Sequence, residues 1–517
     1  MSDIPDWPPQ LSGSQLDALT LLATTYALSH GLLYLPAASP QPPIPNSAIH
    51  APFSLFPSPI PRKTFEKAKK LQSIYNVLYA RVAMDIDFLD RVMGAEVGVG
   101  RVDEFVGRLW RGWKNIRDQG IRQPLHLGLF RSDYLLHSPS PEEAVSLKQV
   151  EFNTISSSFG PLSQQTAALH RYLYNTTRYF TVSPHLKPEN FPPNSTLSGL
   201  ASGLAEGHKA YGIPDAQILF VVQDDERNVF DQRWLEYELL ERHSIHVTRQ
   251  TLTQLITSAS LDPSSSALII SSSTEISVVY FRAGYTPNDF TQPAHFDARF
   301  LLEKSRAIKC PSIPLQLAGG KKVQEVLAKP GVVEQFLKDH DEVVINEIRA
   351  SWMGMWGLDD NNDNASAIGH IVGDTTVRSD TAREPWGLKR AIDNHTNLVL
   401  KPQREGGGNN VYKTSIPPFL ATLPHEERLA WIAMELIVPP PQLGNYLVRA
   451  GGGQAGAVKT EVVSELGIFG WALFGEEERK VVKEVEAGWL VRTKGKDSDE
   501  GGVATGFSVL DSIILVD

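Results

Sequence analysis

One cysteine, Cys310, stands in 517 residues. No internal disulfide and no cysteine-built metal centre can form from it. No H-E-x-x-H run is present, and no G-x-x-x-x-G-K-[ST] phosphate loop. An excess of positive charge is also missing: 49 Lys and Arg stand against 59 Asp and Glu, for a formal net charge of −10. A nucleic-acid or anionic-membrane partner would want a basic surface, so both are argued against. Long apolar runs are absent too. The most apolar early stretch, residues 18–28, is too short and too rich in threonine to span a membrane and reads as a helix. The opening Met1-Ser2-Asp3-Ile4-Pro5-Asp6 is acidic and proline-bearing, unlike a signal peptide, and the last residues carry no lipidation or peroxisomal signal. These absences predict a soluble cytoplasmic protein with no nucleic-acid and no membrane partner.

What is present is ordinary globular material: 42% hydrophobic and 21% charged residues, in a chain long enough for roughly two to four domains. The most informative stretch runs from Leu400 to Asn410. Residues 396–400 (T-N-L-V-L) are apolar enough for a buried strand. That strand delivers Lys401, Arg404 and Glu405 into Gly406-Gly407-Gly408. Glycines allow close backbone approach and positive φ, so their N–H groups can line a nest for phosphate oxygens. Lys401 can hold a phosphate, and Glu405 the cation that accompanies a triphosphate. A glycine-rich surface turn is the alternative for the bare glycines; the flanking charged and Asn residues favour nucleotide binding.

Taken in order, residues 16–35 show helical spacing, and 36–61 a proline-rich strap whose Phe53, Leu55 and Phe56 need burial. Residues 65–93 read as one long helix and 102–117 as another. Residues 126–134 look like a strand ending in polar groups. On the next strand, Glu151 and Asn153 project from one face and Val150 and Phe152 from the other. That places a carboxylate and an amide where a hard cation would take oxygen ligands; an edge-strand surface pair fits the same spacing. From residue 203 to 302, helices and strands alternate as in an α/β unit inserted in a larger body. Polar loops follow two of its strands, at 226–232 and 282–285, where ligands bind in such sheets; ordinary loops would look alike. Lys321-Lys322 opens a helix after a glycine pair, as an anion site or a plain N-cap would. Residues 359–380 read as a surface loop. Strands are expected at 431–437, 464–474 and 489–493.

Several separated motifs agree on one family. They are residues 53–62 (F-S-L-F-P-S-P-I-P-R), 131–134 (R-S-D-Y), 151–160 (E-F-N-T-I-S-S-S-F-G), 226–232 (E-R-N-V-F-D-Q), 282–285 (R-A-G-Y), 316–323 (Q-L-A-G-G-K-K-V), 401–412 (K-P-Q-R-E-G-G-G-N-N-V-Y), 464–470 (S-E-L-G-I-F-G), 492–494 and 501–504. In this order they resemble the eukaryotic glutathione synthetases, members of the ATP-grasp ligases. The resemblance implies an α/β (α+β) fold: a circularly permuted ATP-grasp body with an inserted α/β substrate-binding domain and a mobile lid. The metal strand at Glu151-x-Asn153 precedes Lys321 and Lys401, the order expected of the permuted type. The implied divisions are 1–202, 203–320 and 321–517.

The resemblance also assigns residues. ATP would be surrounded by Glu151, Lys321, Lys401, Pro402, Gln403, Arg404, Glu405, Gly406, Gly407, Gly408, Asn409, Asn410 and Tyr412. Met434, Glu435, Leu436, Ile437, Glu465, Lys494 and Glu500 would complete that site. Glu151, Asn153 and Glu405 would hold Mg²⁺. The γ-glutamylcysteine and product side would be met by Arg131, Ile155, Ser156, Ser157, Ser158, Glu226, Arg227, Asn228 and Gln232. Arg282, Ala283, Gly284, Tyr285, Arg492, Val503 and Ala504 would close it. Arg131, Lys401 and Arg492 are the implied catalytic cations. Ala283, Ser157 and Glu500 depart from the usual family residues, and the 359–380 loop resembles nothing in the family.

The implied reaction joins γ-glutamylcysteine to glycine in a homodimeric enzyme. ATP converts a carboxylate, a poor acyl donor, into an acyl phosphate that the glycine amine attacks. Positioning and charge stabilisation carry such chemistry, so no side-chain nucleophile is needed; Cys310 reads as a packed core thiol. A different amine acceptor, or a nucleotide-binding homologue without activity, are the competing readings.

Overall fold

The computed structural model describes residues 6–36, 44–140, 142–360, 385–404, 408–441, 443–450, 456–475, 480–498, 501–503 and 506–517. Among these, thirteen strands form one large sheet and four form a smaller one. The centre of the large sheet is built from β1 (Leu125–His137), β2 (Ser146–Asn153), β3 (Val458–Gly475), β4 (Lys480–Gly495) and β5 (Ser508–Asp511). β3 and β4 form a long antiparallel hairpin. β1 pairs with β3 on one edge, and its other edge is shared by β2 and Ile308–Cys310. From Ile308–Cys310 the sheet continues in parallel pairing through Thr274–Phe281, Gln217–Val222 and Val247–Thr251. The expected α/β alternation after residue 203 is present, and its strands extend this same sheet.

Alternation along β3 explains why both faces are covered. Leu466, Ile468, Ala472 and Phe474 enter one core, with Tyr75, Leu78 and Tyr79 of helix α1 (Arg62–Met84). Phe469, Trp471 and Leu473 enter a second core, with Leu162 and Leu169 of α2 (Gly160–Thr177) and Leu200 and Leu204 of α3 (Thr196–Tyr211). Each such side chain contributes about 1.5–3 kcal/mol on burial. Gly203 lets α3 lie against Trp471: a Cβ there would sit 2.7 Å from the indole. The smaller antiparallel sheet orders Met355–Gly357, Trp431–Glu435, Leu398–Pro402 and Val411–Tyr412. It has its own core, including Trp356, Leu398, Leu400, Leu420 and Ala433.

Several expectations are corrected. Residues 65–93 form two helices, α1 and Ile86–Met93, because Asp85 breaks the run and accepts a hydrogen bond from the Phe88 N–H at 3.1 Å. The first helix is Gly13–Ser29 and stops before Leu33–Tyr34, which pairs as a short strand with Ile49–His50. Within the alternating 203–302 stretch, Ser244 adopts φ +57° and ends one helix, and the strand that follows is Val247–Thr251. The strands at 464–474 and 489–493 are the middles of β3 and β4, whose polar, part-exposed ends hide their length. The strand at 431–437 ends at Glu435. The strap is confirmed in that Phe53, Leu55 and Phe56 are all fully buried. Most of the 359–380 loop lies outside the described residues.

A buried polar chain fastens β5 behind the hairpin. Asp511 accepts from Ser58 Oγ at 2.8 Å, Thr493 Oγ1 at 2.6 Å and the Ser512 N–H at 2.6 Å. Ser512 in turn meets His170 at 2.6 Å. Burial pushes the Asp511 carboxyl up to about 6, against the pull of the hydroxyl donors. The folded protein therefore holds this proton where the unfolded chain releases it. The contribution to stability is complete below about pH 4 and is lost as pH rises through about 6. Denaturant unfolding of Asp511→Asn should show a flatter pH profile than wild type between pH 4 and 6, the two differing in slope by on the order of 3 kcal/mol across that window.

Candidate active site

β2, β1, β3 and β4 lie side by side, and their register brings the charged residues of the sequence motifs onto one face. Asn153 lies opposite Arg131, and Glu151 opposite Asp133. Arg131 lies opposite Phe469 and Asp133 opposite Gly467. Glu465 lies opposite Arg492, and Val463 opposite Lys494. This is the face that carries Phe469 and Trp471 into the second core; towards Glu465 it turns to a cavity of about 1150 Å³. The opposite face of β2 sends Phe152 into the first core against Tyr79 and Phe130.

Two lysines arrive from outside that sheet. Lys321 opens a helix, Lys321–Ala328, behind the N-cap Gly320, and its Nζ lies 2.8 Å from Glu151 Oε2. Lys401, at the end of Leu398–Pro402 in the smaller sheet, donates to the Val150 carbonyl at 2.9 Å. Both are at most 5% exposed. Burial pushes the Glu151 carboxyl up, but Lys321, Lys401 and Arg492 outweigh it and hold the group well below the usual carboxylate range. Glu465 goes the other way: burial, with repulsion from Asp133 and Glu151, raises it against the pull of its ion-pair partner Arg492. Burial alone would lower Arg492, but Glu465, Asp133 and Glu151 keep it firmly charged.

Asp133 lies in the R-S-D-Y motif without a role assigned to it, yet it is fully buried at the centre of this cluster. It binds Arg131 through two hydrogen bonds, of 2.6 and 2.8 Å, Arg492 at 2.9 Å and the Asn153 amide at 3.0 Å. Gly467 across the strand makes room, since a Cβ there would lie 2.9 Å from Arg131 Cδ and 3.0 Å from Asp133 Oδ1. The available signal was the strand period, which puts Arg131 and Asp133 on one face.

The serine run, Ser156 to Ser158, follows β2 and is gripped from both sides. Arg131 Nη1 donates to the Ser158 carbonyl at 3.3 Å. Arg282, 2% exposed, donates to the Ser157 carbonyl at 3.0 Å and to Ser158 Oγ at 2.5 Å. Asp231 caps the helix that follows, accepting from the Phe159 and Leu162 N–H groups at 2.8 and 3.2 Å. Ile155, Ser156, Ser157, Ser158 and Tyr285 line the cavity. Glu226, Arg227, Asn228, Gln232, Arg282, Ala283 and Gly284 do not; of these, Arg282 stands behind the lining, on Ser157 and Ser158. Glu226 accepts from the Asn228 N–H and Gln232 Nε2 at 2.7 and 2.9 Å, and Arg227 lies over the Tyr34 ring.

On the smaller sheet, Asn409, Asn410, Tyr412 and Met434 to Ile437 line the same cavity, with Lys494 and Val503 on the other side. Pro402, Gln403 and Gly408 are not in its lining. Gln403 instead ties the Lys322 N–H to the Ala430 carbonyl, at 3.0 and 3.1 Å. Arg404 reaches the lining but forms an ion pair with Asp103. Glu405, Gly406, Gly407, Glu500 and Ala504 lie outside the described residues. Asn394, Lys496, Ser498 and Pro439 to Pro441 also line the cavity and carried no sequence signal; Thr396 and Asn397, expected to begin a strand, instead form a 3₁₀ turn and line it too.

The donor set suits a hard cation. The Asn153 amide nitrogen is committed to the Arg131 carbonyl at 3.1 Å and to Asp133, which leaves its oxygen as a ligand atom beside the ionised Glu151. Among the described residues, no group of three or more His, Cys, Asp or Glu side chains is gathered for a metal; Glu405 is not among them.

A family model described as "Eukaryotic glutathione synthase, ATP binding domain" matches residues 13–515. Similar curated proteins are the glutathione synthetases of Xenopus laevis and Homo sapiens. The first is 36% identical over 97% of this chain and 97% of its own length, the second 37% over 96% of both. The chloroplastic glutathione synthetase of Solanum lycopersicum is 38% identical over 90% of this chain and 78% of its own. A solved structure, a glutathione synthetase like-effector from Globodera pallida in apo form, superposes with a TM-score of 0.73 over 98% of each chain at 23% identity, a likeness of fold. With the model spanning nearly the whole chain and curated relatives matched end to end, this chain belongs to the eukaryotic glutathione synthase family.

Proposed function

We propose that this protein is an ATP-dependent peptide ligase that joins γ-glutamylcysteine to glycine, giving glutathione, ADP and phosphate. The observation that carries the reading is the convergence of Lys321, Lys401, Arg131 and Arg492 around Glu151 in one cavity bounded by two sheets. Family membership and the names of the curated relatives support the same activity.

The chemistry follows from charge. A triphosphate and a peptide carboxylate repel each other, so a site that joins them must be cationic. Lys321 and Lys401 hold phosphate oxygens and lower the cost of charge moving to the leaving ADP. Arg131 and Arg492 receive the peptide carboxylate, which takes the γ-phosphoryl group to become an acyl phosphate. The glycine amine attacks that carbonyl, and phosphate leaves. Glu151 and Asn153, with Glu405, would hold Mg²⁺, which when bound neutralises the phosphate oxygens. An acyl phosphate is destroyed by water. The glycine-rich segments 406–408 and 501–506 are the proposed lids, in a circularly permuted ATP-grasp body divided as 1–202, 203–320 and 321–517. Residues 226–232 and 282–285 hold the serine run against the peptide.

The enzyme is further proposed to be a cytoplasmic homodimer. Leu21 and Leu28 on Gly13–Ser29, and Tyr237 and Leu240 on Val229–His243, are left 46–69% exposed and supply apolar surface for a second copy. No helix among the described residues is long and apolar enough to cross a membrane.

Two substitutions test the assignment. Lys401→Met should keep the fold, judged by its melting transition, and lose on the order of 10²–10³ in ligation rate; near-normal turnover contradicts the role. Arg282→Lys keeps the charge but loses the planar fork that holds two serine groups. It should raise KM for γ-glutamylcysteine roughly tenfold and leave KM for ATP near wild type. Mass analysis of products from mixed glycine, β-alanine and serine identifies the acceptor. A β-alanine or serine adduct in preference to glycine replaces glycine in the proposal.

A further inference from the structure

We propose that Asp133 is a positioning residue that aims three groups at once and sets peptide affinity by rationing the N–H donors of two arginines. The inference rests on the ligase reading above and adds to it a residue that touches no reacting atom.

A carboxylate offers about four lone-pair sites. Four donors converge on it here, three of them on one oxygen. Oδ1 accepts from Arg131 Nε at 2.6 Å; Oδ2 accepts from Arg131 Nη2 at 2.8 Å, Arg492 Nη2 at 2.9 Å and Asn153 Nδ2 at 3.0 Å. Each bond removes a choice from its donor. Arg131 keeps Nη1, which is directed to the Ser158 carbonyl at 3.3 Å, so the guanidinium meets the serine run edge-on. Arg492 is pinned through Nη2 between Asp133 and Glu465, leaving its other nitrogens for an anion in the cavity. Asn153 has its amide nitrogen fixed, and therefore its oxygen, beside Glu151.

The site is built for this. Asp133 is fully buried, so its charge is not diluted by water. Without it, Arg492 keeps only its ion pair with Glu465, and Arg131 loses both of the bonds that fix its plane. Both guanidinium groups are then free to leave the positions in which they meet a peptide carboxylate. Gly467 serves the same end, because any side chain there would press on Arg131 and the Asp133 carboxylate. An amide at position 133 is isosteric but offers one oxygen and places an NH₂ against a guanidinium, so at least one of the four donors loses its acceptor and faces another donor.

The test uses the full-length protein with three variants: Asp133→Asn, the exchange Asp133→Asn with Asn153→Asp, and Gly467→Ala. Calorimetry measures γ-glutamylcysteine binding without nucleotide, and melting temperature reports fold. Asp133→Asn should weaken peptide binding at least about tenfold. The exchange variant restores the net charge and the hydrogen bond between the two positions. It should recover the melting temperature while peptide binding stays weak, because the carboxylate no longer faces both arginines. Gly467→Ala keeps every charge and should weaken binding in the same direction, which keeps the proposal testable if Asp133→Asn fails to fold. Peptide binding within twofold of wild type in folded Asp133→Asn or Gly467→Ala overturns the proposal, as does full recovery of binding in the exchange variant. A wild-type protein that neither binds γ-glutamylcysteine nor makes glutathione sinks the ligase reading instead.

Discussion

The balance of charge around Glu151 is the constraint on which the rest of this molecule turns. A carboxylate that is largely desolvated between two lysines and an arginine stays ionised only because those cations are held in place. Each comes from a different part of the chain: Lys321 from a helix start, Lys401 from the smaller sheet, Arg492 from the long hairpin. Losing the fold of any one part leaves buried charges without partners. Stability and the capacity to bind a triphosphate are therefore properties of the same arrangement.

The architecture supplies that arrangement by covering the large sheet unevenly. Helices seal both faces of β3 where Leu466 to Phe474 alternate between the two cores. Towards Glu465 and the Arg492 to Lys494 end of β4, the second-core face opens to the cavity, and apolar residues give way to acids and bases. The smaller sheet, with an independent core, stands across the cavity and brings Lys401 to β2. An anion entering between the sheets meets rigid strands on both sides, which suits a reaction catalysed by positioning.

Local pattern made much of this legible in the sequence. Alternation around Glu151 and Asn153 gave their shared face, the glycine pair before Lys321 gave a helix start, and the strand expected at 396–400 is present two residues later, as Leu398–Pro402, with Lys401 inside it. Features set by distant pairing were not legible. Asp133 is one acid on a strand until the register with β2, β3 and β4 surrounds it with donors. Gln403 and Arg404 sit in the glycine-rich motif, yet Gln403 braces Lys322 and Arg404 pairs with Asp103, partners hundreds of residues away in the case of Asp103. The break at Asp85 lay inside a helical pattern whose periodicity continues across it. The hairpin ends were missed because polar, part-exposed strand looks like loop.

The claim that this cluster drives ligation is tested most directly by following ADP release with ATP, γ-glutamylcysteine and glycine present together, and then with each omitted in turn. The account predicts one ADP for each glutathione formed, and only a trace of ADP when either the peptide or the amine is left out. ATP that binds without yielding ADP in the complete mixture, or ADP release that ignores the peptide and the amine, would contradict it.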